Sequence, residues 1–226
     1  MGLASRAVRA AMLLAMIGGM LPGGVRLTAR ALRSPRTRGV RVTPRQFSAG
    51  RLAATKFGDV QLDDAVVEKI MSRKFAMKLA LAHAAKAANK GEVPIGAVVL
   101  DDEGRVLSVG RNQVEGQKDA SAHAEMQAMR GAAAQLGNWR LQNCDLYVTM
   151  EPCLMCLATA QQFRLRSIVY GCPNDRLGAM GSRVDLQGLQ EHLDHPFHRI
   201  EVFGGMLAED CSQIVKIFFQ QRRAKD

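Results

Sequence analysis

Two short clusters constrain this chain more than anything else in it: His123-Ala124-Glu125 and Pro152-Cys153-Leu154-Met155-Cys156. Each falls where the sequence pattern starts a helix. Ser121 is a good helix cap, and a helical pattern follows it to about Leu136. Pro152 suits a first helical turn, where its missing N–H had no partner to lose, and that helix runs to about Phe163. A fold that joins these two helix starts gathers one imidazole and two thiols at a point. A fold that separates them leaves two unrelated motifs.

The remaining pattern supplies a scaffold for such a meeting. Ile70, Met77, Leu81, Ala84 and Ala88 share one face of a helix predicted from about Asp64 to Ala88, which Asn89-Lys90-Gly91 ends. Pro94 to Leu100 and Arg105 to Val109, joined by the turn Asp101-Asp102-Glu103-Gly104, read as a hairpin. A polar loop from Gly110 to Ala120 leads to the His123 helix. Cys144–Thr149, Ser167–Tyr170 and Arg199–Phe203 read as strands, with a Gly-rich loop from Gly171 to Gly181. Cys211, Ile214, Val215 and Phe218 recur at i, i+3, i+4 and i+7, so an amphipathic helix closes the chain. Strands alternating with helices predict a layered α/β domain with a partly parallel sheet.

The clusters carry a specific chemistry. Residues three apart on a helix share a face, so Cys153 and Cys156 can present two sulfurs to one ion. A helix N-terminus favours the thiolate that a metal needs. With His123 as third ligand, the set is that of a zinc site with a fourth position open to water. Glu125 lies about 200° round the helix from His123, badly placed to ligate the same ion and well placed beside the open position. Zinc lowers the pKa of bound water toward about 7, and a neighbouring carboxylate can take and pass on the proton. That is hydrolytic chemistry.

Duller readings stand beside it. A Cys-x-x-Cys pair can be a redox couple. A structural zinc would need a fourth protein ligand, for which Cys144 or Cys172 would have to serve. Otherwise Cys144, Cys172 and Cys211 read as small apolar core residues. His83 reads as structural, and His192, His195 and His198 as surface residues.

Charge divides the chain in two. Of its 31 basic and 21 acidic residues, ten arginines, Lys56 and no acid fall in residues 1–58. Residues 59–226 are therefore one charge from neutral, and the net +10 belongs to the extension. An arginine-rich, acid-free start reads as an organelle-targeting presequence without fixed structure. Within it, Arg6 and Arg9 precede the short apolar run Met12–Leu21, a pattern that suits a plastid reached through the secretory route. A mitochondrial presequence is the alternative, and a basic arm gripping RNA or membrane is the bland one. No uncharged apolar run reaches the roughly 18 residues of a bilayer span, so no stable membrane association is expected. Residues 59–226 are expected to form the single folded domain.

The His-x-Glu and Pro-Cys-x-x-Cys pair resembles the signature of zinc-dependent nucleobase deaminases. Glu92–Val98, Gly110-Arg111-Asn112, Ala122–Glu125, Leu146–Cys156, Leu177–Ser182, Gly204–Ala208 and Phe218-Phe219 extend the likeness. Together they resemble bacterial-type tRNA-specific adenosine deaminases over about residues 66–223. The resemblance implies a three-layer α/β/α cytidine deaminase-like fold with a mixed, roughly five-stranded sheet. It implies a homodimer with one zinc per subunit, held by His123, Cys153 and Cys156. The implied reaction is hydrolytic deamination of the wobble adenosine of a tRNA anticodon stem-loop to inosine by zinc-activated water. Glu125 would shuttle protons, Asn112 would hydrogen-bond the nucleoside, and the Ala124 N–H would position the base.

Asn174 departs from the pattern, where relatives usually carry Asp, and fine RNA preference turns on that loop. The alternative activity is deamination of a free nucleobase or nucleoside, guanine or cytosine, at the same zinc site. A non-catalytic RNA-binding subunit is a third class, which an intact Glu125 disfavours. For RNA contacts the cluster Arg222, Arg223 and Lys225 stands first, ahead of Lys74, Lys78, Lys86 and Lys90.

Overall fold

Glycines at three sheet positions let helices lie directly on the backbone, and this sets the layers. The computed structural model describes residues 56–57, 60–61, 64–191 and 198–224. The chain divides into two units, 1–68 and 69–226. In the first, Lys56–Phe57 (β1) and Val60–Gln61 (β2) form a short antiparallel pair. The rest of the expected presequence lies outside the described residues, as do His192, His195 and Lys225.

The second unit is built on a five-stranded sheet, in the order β4-β3-β5-β6-β7. Its strands are Gly96–Leu100 (β3), Val106–Arg111 (β4), Asp145–Met150 (β5), Ser167–Cys172 (β6) and Glu201–Phe203 (β7). β3 pairs antiparallel with β4 and β5, whereas β5, β6 and β7 run parallel. The sheet is thus mixed, as expected.

Helix α1 spans Asp64–Ala88, within the predicted bounds. Its buried stripe is Ala76, Met77, Ala80, Ala84 and Ala87, so Leu81 and Ala88, expected in the core, are only half-buried. The reason is a close approach. A Cβ at Gly96 would lie 2.0 Å from the Ala80 carbonyl oxygen, so α1 rests on β3 with room only for small side chains.

The opposite face carries α3 (Ala124–Leu136), pressed on β4, where a Cβ at Gly110 would lie 2.1 Å from the Ala124 carbonyl oxygen. Gly110 pairs with Ala97, one residue beyond Gly96, so α1 and α3 must lie on opposite faces. The last helix, α6 (Ala208–Arg223), packs on β6 at Gly171 through Cys211, on the α1 side. α4 (Leu154–Gln162) joins α3 on the other. The result is an α/β/α sandwich.

Two short helices, α2 (Val114–Gln117) and α5 (Leu186–Gln190), were not expected from the sequence. No helix among the described residues is long and apolar enough to cross a membrane.

Candidate active site

Two strand-to-helix connections deliver the site. β4 ends at Arg111 and, after a loop containing α2, the chain enters α3. β5 ends at Met150 and the chain enters α4 within four residues. The N-cap of α3 is His123, not Ser121, and the N-cap of α4 is Cys153. Pro152 therefore precedes the cap instead of opening the first turn. Both N-cap residues have extended backbone, and neither side chain caps its own helix. Their side chains turn toward each other instead. Cys156, at the third helical position of α4, comes back to the same point, so the sulfurs converge through N-cap geometry rather than along a helical face.

The Nδ1 of His123 lies 3.7 Å from the Cys153 Sγ and 3.4 Å from the Cys156 Sγ. A tetrahedral zinc at about 2.3 Å from sulfur and about 2.05 Å from nitrogen separates such ligands by about 3.6 Å. The two observed distances bracket that value, so the three side chains fit zinc. No fourth His, Cys, Asp or Glu joins the cluster among the described residues. Cys144 and Cys172 are buried elsewhere, and Cys172 Sγ donates to the Thr149 carbonyl. A structural site closed by a fourth cysteine is thereby ruled out. All five cysteines are free thiols.

Without a cation the three ligands share protons. The Cys153 thiol is held down to about 4, chiefly by the hydrogen bond from Cys156. Cys156, carrying that proton, is pushed far up. His123 is raised by its bond to Cys153, against burial, with help from the Glu125 charge. A bound cation displaces these protons and fixes both sulfurs as thiolates.

Glu125, in the first turn of α3, is 3% exposed. Burial pushes its carboxyl above the usual range. Its Oε2 is enclosed without a hydrogen-bond partner. An unpaired buried oxygen is costly and marks a functional position when it adjoins a metal cluster. Ala124 is fully buried and is the first residue of α3, where a backbone N–H has no intrahelical partner. Asn112 is 5% exposed, and its Nδ2 donates to Glu92 Oε2 at 3.2 Å.

Sequence reasoning assigned no role to two buried carboxylates that frame the site. Glu92 accepts from Asn112 and from the backbone N–H groups of Glu115 and Gly116, at 3.3 and 2.8 Å. Glu151 organises the loop after β6, and its hydrogen bonds hold its carboxyl below the ordinary range despite burial. Each lies within two residues of a proline, in Glu92-Val93-Pro94 and Glu151-Pro152. An acid there, at the edge of an apolar run, was the available signal. Lys74, Lys78 and Lys86 are exposed along α1 and Lys90 just past its end, as are Arg222 and Arg223 at the end of α6.

Residues 71–172 match the cytidine and deoxycytidylate deaminase zinc-binding region, which takes in all three ligands and Glu125. The tRNA-specific adenosine deaminase of Haemophilus influenzae is 40% identical over 163 residues, covering 72% of this chain and 91% of that one. The chloroplastic tRNA(adenine(34)) deaminase of Arabidopsis thaliana is 40% identical over 158 residues, covering 65% of this chain and 12% of that one. A solved structure from a study of A-to-I editing by tRNA:A34 deaminases at the wobble position superposes with a TM-score of 0.57. It is 36% identical and covers 62% of this chain and 98% of that one. Ligand geometry, strand order and near-complete coverage of a bacterial relative agree, and the chain belongs to the tRNA-specific adenosine deaminases.

Proposed function

We propose that this protein hydrolyses the 6-amino group of the adenosine at the wobble position of a tRNA anticodon, leaving inosine and ammonia. The observation that carries this is a three-ligand zinc cluster with no fourth protein ligand among the described residues, in a chain 40% identical to a tRNA-specific adenosine deaminase.

Zinc held by His123, Cys153 and Cys156 supplies Lewis acidity, which makes a water nucleophilic near neutral pH. The remaining work falls to the chain's own residues. Glu125 accepts one proton from the water and hands it to N1 of the adenine, then takes the second from the new hydroxyl at C6 and gives it to the departing amino group. One C–N bond breaks, one C–O bond forms, and Glu125 ends as it began. Its deep burial supports this role, because burial raises the carboxyl above its ordinary range and so makes it a better proton acceptor. Asn112, oriented by Glu92, hydrogen-bonds the nucleoside, and the Ala124 N–H fixes the base. Both α3 and α4 point their N-termini at the cluster, and their dipoles favour the negative charge that builds there.

The remainder of the chain takes supporting roles in this reading. Residues 1–58 form an organelle-targeting presequence, for which the chloroplastic relative and the acid-free, arginine-rich composition argue. The plastid is the proposed destination. Residues 59–226 form the deaminase domain, which works as a homodimer.

The test is incubation of the zinc-loaded protein with an anticodon stem-loop bearing a wobble adenosine, and separately with free guanine and cytosine. Inosine in the stem-loop is the expected product. Turnover of the free bases alone would replace this reading with a free-base deaminase.

A further inference from the structure

Glu151 lies just past β5, two residues before the zinc ligand Cys153, and its side chain is 1% exposed. A carboxylate survives such burial only when donors surround it. Here the donors are backbone N–H groups of a single loop. Oε1 accepts from Met180 at 2.8 Å and from Ser182 at 3.2 Å, and Oε2 accepts from Asn174 at 3.1 Å. Asn174 completes the arrangement. Its Nδ2 donates to the Glu151 carbonyl, and its Oδ1 accepts from the N–H groups of Arg176 and Leu177.

The same loop is joined to the ligand-bearing segment. The Ala179 N–H donates to the Pro152 carbonyl at 3.0 Å, and Gly178 pairs with Cys153 in an antiparallel bridge. A Cβ at Gly178 would lie 2.5 Å from Glu151 Oε2, so the loop wraps the carboxylate as closely as a glycine permits. The tip, Asp175-Arg176-Leu177, stands out into solvent, as do Gly181 and Ser182 at the loop's far end. Glu151 is not part of the metal cluster.

We propose that Glu151 is a positioning residue for RNA: its carboxylate is the internal anion around which loop 174–182 folds, and it holds the tip Asp175-Arg176-Leu177 beside the metal cluster, where an RNA strand lies when its base reaches Glu125. The inference rests on the RNA deaminase reading above and deepens it.

The test uses the full zinc-loaded chain carrying Glu151→Gln or Glu151→Asp. Glutamine keeps the shape but turns an amide NH2 toward a backbone N–H. Aspartate keeps the charge and falls one methylene short. Both variants should hold one zinc per chain. Hydrogen exchange at the amides of Asn174, Met180 and Ser182 should quicken by about tenfold or more, with β5 and α4 unchanged. KM for the stem-loop should rise about tenfold in Glu151→Gln, while kcat changes by less than about threefold. Glu151→Asp should fall between that variant and the wild type.

Zinc lost in step with activity would make Glu151 a mere support of the metal and overturn the proposal. So would unchanged loop exchange, or faster exchange with KM unaltered. Failure of the wild type to deaminate the stem-loop would sink the functional reading instead. Affinity for the same RNA, read by anisotropy, would then take the place of KM in judging Glu151.

Discussion

The Asn112 side-chain amide donates to the Glu92 carboxylate at 3.2 Å, with both residues almost fully buried. Glu92 also receives two backbone N–H groups from α2. Replacing it with alanine strands the buried Asn112 donor, at about 1–3 kcal/mol, and frees the N–H groups of the exposed Glu115 and Gly116 to water. Glu92→Ala should lose roughly 10- to 100-fold in kcat/KM while keeping its zinc. Steady-state kinetics beside metal analysis checks this, and an unchanged kcat/KM would show that Asn112 needs no such anchor.

Glu125 should trade stability against activity. Its Oε2 is enclosed and unpaired, so removing the carboxylate relieves a buried penalty. Glu125→Ala should keep zinc and lose at least about 100-fold in inosine formation. In metal-free protein the same change should raise Tm by roughly 2–4 °C, the equivalent of about 1 kcal/mol for a domain of this size. Calorimetry of both forms measures the gain, and surviving activity would remove Glu125 from the mechanism.

The Gly110 contact with α3 should be intolerant of even one methyl group. A Cβ there would overlap the Ala124 carbonyl, 2.1 Å away, and force the N-terminus of α3 off the sheet. Overpacking of this kind costs about 1–3 kcal/mol or more. Because His123 and Glu125 ride on that turn, Gly110→Ala should lose activity and zinc affinity at temperatures where it is still folded. Urea unfolding paired with a zinc competition assay separates the two losses.

Thiol chemistry should distinguish core from site. Burial pushes Cys144 and Cys211 up to about 12. At pH 8 their thiolate fraction is then roughly one in ten thousand, against about a quarter for an ordinary cysteine. Both should resist alkylation in the native, zinc-loaded protein and react readily once it is unfolded. As pH rises from 8 toward 12, their thiolate fraction, and with it native reactivity, should climb by about tenfold per pH unit, whereas an ordinary cysteine has already levelled off. Mass mapping of labelled cysteines across that range tests the sign.

Much of this was legible in the sequence because the signals were local. The 3.6-residue period of α1 ran from Asp64 to Ala88, and Asp101–Gly104 marked the hairpin turn. What escaped depended on tertiary contacts. α2 has four residues and no period to read; Glu92, two dozen residues earlier, receives its backbone N–H groups. Ser121 has the residue type of a cap for α3, but the Gln113 N–H donates to the Ala122 carbonyl and the helix starts two positions later, with His123 as its cap. The ligand set itself was readable because metal geometry restricts residue type and spacing together. Glu151 showed only as an acid beside Pro152, because a carboxylate that binds backbone N–H groups leaves no pattern in their side chains.

Where helix backbones touch strands at Gly96 and Gly110, and the Cys211 side chain touches Gly171, there is no slack for the layers to slide. The socket that receives the base is consequently rigid before RNA arrives, and the deformation falls on the nucleic acid. A base already splayed in a hairpin loop has little stacking left to surrender, whereas one inside a duplex has a full partner and two neighbours to leave. Stiff packing beneath the zinc ligands thus becomes a preference for open loops, without a single side chain reading the surrounding letters.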